Sequence, residues 1–161
     1  MNDNIAPLWT IRPLDGVGAL KFGLLRSEAR LLLGPPTTTF RKGPFESNDA
    51  DAYDTLGLHL NFDPADRLES VDAWGPSTIR FDDLPLLNVD ADKLIQELQR
   101  RGFEHEDYIF HELGFALSVA DGLVRGVSVF RSGQYDLNNP DSAASRANRA
   151  AAAFLRRKLN S

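Results

Sequence analysis

The chain contains the stretch Leu56-Gly57-Leu58-His59-Leu60-Asn61-Phe62 and nearly repeats it as Leu113-Gly114-Phe115-Ala116-Leu117-Ser118-Val119. Each stretch is followed, after a turn that contains aspartate, by a second apolar run, at residues 68–74 in the first case and 124–130 in the second. The spacing is kept to within one residue. An internal repeat indicates an architecture built from copies of one structural unit. We therefore predict two tandem units, each centred on a two-stranded hairpin.

Apolar and polar residues alternate along these stretches, as at Leu58, His59 and Leu60. A period of two is typical of a strand with one buried face and one face in water. In the second unit we predict three strands, at residues 103–110, 113–120 and 123–130, with Asp121-Gly122 as the signal of a hairpin turn. The strands therefore form an antiparallel sheet.

A helix is predicted before each hairpin. Residues 24–33 place their apolar side chains on one helical face, and Gly34 followed by two prolines ends the helix. Residues 90–101 show a similar apolar stripe. A last helix is predicted at about residues 141–159, capped by the Asn138–Asp141 segment.

These elements predict an α+β fold. Two tandem helix-plus-antiparallel-hairpin repeats form a curved antiparallel sheet with helices on one face, and a C-terminal helix is added. The expected boundaries are residues 1–75 for the first repeat, 76–136 for the second and 137–161 for the C-terminal helix, all within one compact domain. The other face of the sheet is left open.

Composition narrows the classes of function. The chain of 161 residues has no cysteine, which excludes disulfides, thiolate catalysis and cysteine-ligated zinc. No apolar run approaches the roughly 18–20 residues of a membrane span, and the start Met1-Asn2-Asp3-Asn4 lacks the pattern of a secretory signal. We therefore expect a cytoplasmic protein that does not bind a membrane.

The net charge of −5 is unevenly distributed. Five basic residues and one acidic residue follow position 140, so that this segment carries +4 and the rest of the chain −9. An acidic body repels nucleic acid, so we expect no nucleic-acid partner. It attracts a basic protein and accelerates its association. Ordinary solubility is the alternative explanation of the charge.

No pattern in the sequence predicts a reaction. His105 and His111 are six positions apart, which on a strand separates them by some 20 Å, and there is no His-Glu-x-x-His pattern. The many carboxylates have no spacing that requires an acid–base pair. The glycine-rich turn at residues 15–21 matches no phosphate-binding motif. We therefore expect neither catalytic residues nor a metal site, and no cofactor.

Contact with another protein is the chemistry that the side chains favour. Acidic residues cluster at 46–54 and 104–107, and tyrosines, which are frequent at binding hot spots, lie beside the hairpins. The candidate partner-binding residues are Glu46, Asp49, Asp51, Tyr53, Asp54, His59, Glu104, Glu106, Asp107, Tyr108 and Tyr135. Trp74 and Phe130 occupy equivalent positions of the repeat, and we expect both in the core.

The segment Phe22-Gly23-Leu24-Leu25-Arg26-Ser27-Glu28-Ala29-Arg30-Leu31-Leu32-Leu33-Gly34-Pro35-Pro36 resembles a known pattern. Its counterpart is Phe-Gly-Met-Thr-x-Glu-Glu-Val-x-x-Leu-Leu-Gly-x-Pro, in the repeat shared by β-lactamase inhibitor proteins and small outer-membrane assembly lipoproteins of the BamE type. Similar segments occur in small bacterial proteins, some of which look like immunity proteins of toxin systems. The resemblance implies a scaffold that binds another protein through a concave sheet.

The chain departs from that pattern in three ways. Leu25 stands where a threonine cap is usual, so the cap is expected to shift to Ser27. The second unit lacks the Gly-Pro-Pro ending, and there is no cysteine for a lipid anchor or for disulfides. The lipoprotein role and the disulfides of the secreted inhibitors therefore do not carry over.

The expected function is a protein-binding module, an immunity or inhibitor protein that neutralises a basic toxin or enzyme by occluding its active site. The alternative is a small-ligand-binding protein or a hydrolase that uses carboxylate and histidine side chains in a cleft between the repeats. A third possibility is a homodimer that pairs sheet edges or C-terminal helices.

Overall fold

A computed structural model of the chain describes residues 9–43 and 48–160. The helices are α1 (Arg26–Leu33), α2 (Ala91–Arg100) and α3 (Ala143–Leu159). The strands are β1 (Ile11–Arg12), β2 (Gly16–Val17), β3 (Leu20–Lys21), β4 (Thr38–Phe40), β5 (Ala50–Tyr53), β6 (Leu58–Phe62), β7 (Leu68–Trp74), β8 (Arg80–Phe81), β9 (Leu84–Pro85), β10 (Ile109–Phe110), β11 (Phe115–Ala120) and β12 (Leu123–Phe130).

One seven-stranded sheet dominates the structure. Its strand order is β10-β11-β12-β7-β6-β5-β4, and every neighbouring pair is antiparallel. The two halves of the chain meet where β7 pairs with β12, with Val71 opposite Val129. Both halves therefore contribute to a single continuous sheet.

The register separates the two faces of this sheet. Directly paired residues lie on the same face, and one row crosses all seven strands on the core side. That row consists of Thr39, Asp51, Leu60, Val71, Val129, Phe115 and Phe110. The adjacent row crosses the sheet on the opposite face and consists of Thr38, Ala52, His59, Asp72, Ser128, Ala116 and Ile109.

The core lies on one side of the sheet. Ala29 of α1 and Leu94 and Leu98 of α2 belong to the same buried cluster as the inward-facing strand residues. The short sheet β1-β2-β3 and the β8-β9 hairpin add further apolar side chains to this cluster, among them Val17 and Phe81. Burial of such side chains is the main stabilising contribution to a fold of this size.

Gly57 and Gly114, the glycines of the two similar stretches, have the same local structure. Their φ angles are 65° and 69°, in the left-handed region that glycine adopts without strain. The carbonyl of Gly57 accepts a hydrogen bond from the N–H of Trp74 (3.0 Å), and that of Gly114 from the N–H of Phe130 (2.8 Å). A Cβ at Gly57 would lie 2.2 Å from the Trp74 carbonyl oxygen. Both turns therefore require glycine, because the next strand passes directly against them.

Several predicted boundaries differ from the structure. The strand predicted at residues 103–110 is reduced to Ile109–Phe110, because Asp107 adopts a φ of 51° in a turn that is closed by hydrogen bonds between Glu106 and Ile109. Ser142 caps α3 through the N–H of Ser145, rather than the preceding Asn138–Asp141 segment.

The first helix is also capped differently from the prediction. Its N-cap residue is Leu25 and not Ser27, and the N–H of Leu25 donates to Oε1 of Glu28 at 3.0 Å. The edge strand predicted at residues 5–12 falls partly outside the described residues, and Ile11–Arg12 forms its observed part.

The α+β class is confirmed, with a large antiparallel sheet and, in the described residues, three helices that include a C-terminal one. The duplication of a helix-plus-hairpin unit, and the boundaries drawn from it, remain predictions. No helix in the described parts of the chain combines the length and apolar character that crossing a membrane requires.

Candidate binding face of the sheet

The face of the large sheet opposite the core carries mostly small and polar side chains. Besides the row that contains His59 and Asp72, it includes Trp74 paired with Gly126 and Asn61 paired with Ser70. We call this surface the open face; it consists of Thr38, Phe40, Ala50, Ala52, His59, Asn61, Ser70, Asp72, Trp74, Ile109, Ala116, Ser118, Gly126, Ser128 and Phe130.

Three aromatic rings cluster on the open face. The ring of His59 lies between those of Phe40 and Trp74, with centroid distances of 4.6 and 4.1 Å and edge-to-face geometry on both sides. Partial burial lowers the pKa of His59 from its ordinary 6.5, and the positive charge of Lys42 lowers it further. His59 is therefore a neutral ring at neutral pH and contributes to an amphipathic aromatic surface.

Polar side chains form the centre of the open face. The carboxylate of Asp72 accepts hydrogen bonds from the hydroxyl of Ser128 (2.6 Å) and from Nδ2 of Asn61 (3.1 Å), and it pairs with the ammonium group of Lys42. The same Nδ2 of Asn61 also donates to the hydroxyl oxygen of Ser70 at 3.0 Å.

The beginning of α3 covers one end of the open face. Arg146 of this helix donates to Oε2 of Glu69 at 2.5 Å, and Arg131 donates to the same oxygen at 3.3 Å. The ring of Tyr135 stands edge-on to that of Phe130 at 4.8 Å, which buries Phe130. The chain segment between β12 and α3 is thereby fixed against the sheet.

A cleft of about 160 Å³ remains between α3 and the polar centre of the open face. It is lined by Lys42, Asn61, Glu69, Ser70, Asp72, Ser128, Phe130, Gln134, Tyr135, Ala143, Arg146 and Ala147. Two buried acceptors of these residues, Oδ1 of Asn61 and Oε1 of Gln134, have no hydrogen-bond partner within residues 9–43 and 48–160. Such groups are rare in folded proteins because each one costs free energy.

Two of the predicted contact residues lie inside the protein. Asp51 is fully buried on the core face, where Arg26 and Arg30 of α1 take both of its carboxylate oxygens. Tyr53 is also buried, and its hydroxyl donates to the carbonyl of Gly34 at 2.9 Å. The prediction that Tyr53 is exposed is therefore wrong.

The other predicted contact residues lie mostly on the surface, but in separate places. His59 is on the open face. Asp49 and Asp54 flank β5 near one edge of the sheet, and the exposed residues Glu104, Glu106, Asp107 and Tyr108 precede β10 at the opposite edge. Six strand spacings separate the two edges, roughly 29 Å. Tyr135 is about half exposed beside the cleft, and Glu46 lies outside the described residues.

Trp74, Asp72 and Asn61 are three open-face residues that sequence reasoning left out of the candidate site. Trp74 was expected in the core, but it is only partly buried and packs on His59. Its position in β7 is the missed signal, because residues 70, 72 and 74 share one face of a strand. In the described residues, no group of three or more His, Asp or Glu side chains is placed to hold a metal ion.

Comparisons of the chain with protein-family models, with curated proteins and with solved structures find no match.

Proposed function

We propose that the chain is a protein-binding module that uses the open face of its sheet, and that it acts as an immunity or inhibitor protein by covering the active site of a toxin or enzyme. The observation that carries the proposal is the open face itself. It crosses seven strands, and in the described parts of the chain Lys42 and the segment that runs from Gln134 into the beginning of α3 cover one part of it.

The aromatic cluster supplies the anchor for such a contact. The rings of Phe40, His59 and Trp74 already pack on one another, so little conformational entropy is lost when a partner covers them. Aromatic side chains at the centre of an interface carry much of its binding free energy.

Charge favours a basic partner. The chain up to position 140 carries −9, and exposed acidic side chains stand near both edges of the large sheet, for example Asp54 at one edge and Glu106 at the other. A basic surface would be attracted from both sides toward the open face between them. Occlusion of a basic active site is the mechanism that fits this arrangement.

The similar turns at Gly57 and Gly114 support duplication of one hairpin unit as the origin of the sheet. Duplication joins two small hairpins into a surface broad enough for a protein, since a stable interface needs about 800 Å² from each partner. The resemblance of residues 22–36 to repeats of inhibitor proteins points the same way.

The alternative of a hydrolase would need His59 beside a carboxylate in a cleft. Asp72 is paired with His59 in the register, but its carboxylate is bound by Ser128, Asn61 and Lys42. The His59 ring is flanked by two aromatic rings, and it does not line the cleft beside α3. A homodimer through α3 is a second candidate, favoured by the exposed apolar side chains of Phe154, Leu155 and Leu159 on its final turns. Serine at both leucines should then shift the elution volume to that of a monomer, whereas an unchanged volume contradicts the dimer.

Binding to the gene neighbour's product tests the main proposal. The wild-type chain should co-purify with that protein and abolish its activity or toxicity. High salt should weaken the binding of the two proteins. Trp74→Ser should weaken the purified complex by about tenfold or more. Leu31→Ser is the matched control, because Leu31 is 87% exposed on α1, away from the open face. Equal binding by both variants, or a monomer that retains nothing at low salt, overturns the proposal.

A further inference from the structure

We propose that the cleft between α3 and the open face is a binding site for the guanidinium group of an arginine side chain, presented by the partner protein. This inference rests on the proposed function and names the group by which the partner is recognised. It is carried by the hydrogen-bonding state of the polar groups in the residues that line the cleft.

Several donors on the floor of the cleft are already used. Nδ2 of Asn61 donates to both Ser70 and Asp72, and the hydroxyl of Ser128 donates to Asp72. Arg146 donates to Glu69 and to the carbonyl of Asp141.

Two acceptors, in contrast, are not used. Oδ1 of Asn61 and Oε1 of Gln134 are buried and have no partner among the described residues. The orientation of Asn61 is fixed, because exchanging its amide nitrogen and oxygen would bring the oxygen against the carboxylate of Asp72. Gln134 is only 9% exposed, and its backbone carbonyl accepts from the N–H of Ala144 in α3. The oriented acceptor of Asn61 favours a ligand that brings N–H or O–H donors.

The negative charge of Asp72 favours a ligand whose donor group is a cation. Its carboxylate is now paired with Lys42, whose side chain is 31% exposed and extends from the loop after β4. An ammonium is a compact point charge, whereas a guanidinium carries five donors in a planar fork. A guanidinium that replaces Lys42 at Asp72 keeps the charge balanced and directs a further N–H toward Asn61. Lys42 is thus an internal occupant that the partner's arginine displaces.

The size and surroundings of the cleft agree with this ligand. Its volume of about 160 Å³ holds about five water molecules at ~30 Å³ each, which is ample for a guanidinium group. The acidic character of the chain up to position 140 raises the local concentration of cations. An anion is disfavoured, because Lys42 and Arg146, which line the cleft, are already paired with Asp72 and Glu69.

Nuclear magnetic resonance of the side-chain amide groups tests the site directly. The 15N-labelled full chain is titrated with N-ethylguanidinium, with tetramethylammonium as a cation without N–H donors, and with inorganic phosphate, all at constant ionic strength. Saturable shifts of the Asn61 and Gln134 amide signals are expected for N-ethylguanidinium alone. Lys42→Ala should strengthen this binding by about threefold, the effect of removing one competing surface ion pair. Asn61→Leu should weaken it by about tenfold.

Other results overturn the inference. No saturable shift with N-ethylguanidinium in either the wild type or Lys42→Ala means that the two acceptors are satisfied by water only. Equal binding of tetramethylammonium would show that N–H donors of the ligand do not contribute to binding. Shifts with phosphate alone would show that the cleft binds an anion and not a cation. If Asn61→Leu does not fold, the titration of Lys42→Ala with N-ethylguanidinium still tests the site. Lys42 lies on a surface loop, so its replacement should not prevent folding. If Trp74→Ser loses the partner complex but the cleft does not bind N-ethylguanidinium, the arginine site is wrong. The proposed function is then still supported.

Discussion

The Oδ1 atom of Asp51 lies 2.6 Å from Nη1 of Arg26, although 25 positions separate the two residues. Arg30, one helical turn further along α1, donates to both oxygens of the same carboxylate at 2.8 and 2.9 Å. These hydrogen bonds raise the pKa of Arg30 above its ordinary value. One buried acid on the core face of the sheet therefore fixes α1 through two of its side chains.

Replacement of Asp51 by alanine should destabilise the protein strongly. Asp51→Ala leaves Arg30 without this carboxylate and leaves Arg26 with Asp66 as its remaining ion-pair partner in the described residues. The loss of charged hydrogen bonds to a fully buried carboxylate costs about 2 kcal/mol. Asp49→Ala is the matched control, because Asp49 is exposed and lies 3.5 Å from Arg41, a surface pair worth about 0.5 kcal/mol. Urea denaturation of both variants measures the difference. Equal free energies of unfolding would show that Asp51 does not hold α1.

Alanine at Gly57 or Gly114 should also destabilise the fold. At Gly57 the added Cβ meets the Trp74 carbonyl oxygen at 2.2 Å, and at Gly114 it meets the Phe130 carbonyl oxygen at 2.8 Å. A clash with backbone adds to the roughly 1–2 kcal/mol that a positive φ costs a non-glycine residue. Gly102→Ala is the control with strain alone, because its φ is 95° but no atom lies within 4 Å of the added Cβ. The melting temperatures of both variants should be lower than that of Gly102→Ala. A smaller decrease at Gly57 than at Gly102 would contradict the clash.

The alternation of residues 58–62 contains enough information to predict the faces of the sheet. Leu58, Leu60 and Phe62 are buried, while His59 and Asn61 are partly exposed on the other face, as a period of two requires. The same parity places Asp72 and Trp74 together in β7. A core location was nevertheless predicted for the tryptophan from its residue type, because aromatic side chains are usually core residues. Position within the strand was the better guide.

Features that depend on contacts distant in sequence were not predictable in this way. The cluster of acids around Asp51 is typical of a solvated loop, and only the arrival of α1 buries that one carboxylate. The cleft has the same origin, since it requires Arg146 of α3 to reach Glu69, 77 positions earlier. Single-sequence patterns report local periodicity and carry little information on such long-range pairing.

The stability of the protein should fall with acid through His59. Burial lowers its pKa below the ordinary 6.5, so the unfolded chain binds the proton more tightly than the folded protein does. The stability contribution is complete above pH 6.5, and it is lost as the pH falls from 6.5 through the lower pKa of the folded protein. Lys42 opposes protonation and Asp54 favours it.

His59→Phe keeps an aromatic ring between Phe40 and Trp74 but removes the titration. The free energy of unfolding, measured in urea at about pH 7.5 and about pH 5, should decrease less in this variant than in the wild type. His111→Phe serves as the control for a histidine-to-phenylalanine exchange at a half-exposed position outside the aromatic cluster. An unchanged pH dependence in His59→Phe would assign the acid sensitivity to other groups.

Loss of Arg146 should loosen α3 from the sheet. Its guanidinium is largely buried and donates to Glu69, whose side chain is itself almost fully buried, so Arg146→Ala leaves that carboxylate with Arg131 as its remaining ion-pair partner in the described residues. The expected cost is about 2 kcal/mol, as for a hydrogen bond between charged groups. Arg149→Ala, an exposed arginine of the same helix, should change stability by less than about 0.5 kcal/mol. Hydrogen exchange should show faster exchange of the first turns of α3 in Arg146→Ala alone. The two variants replace the same residue type in the same helix, and of these two arginines Arg146 alone contacts Glu69 and the carbonyl of Asp141. Equal exchange in both variants would mean that the ion pair does not hold the helix over the cleft.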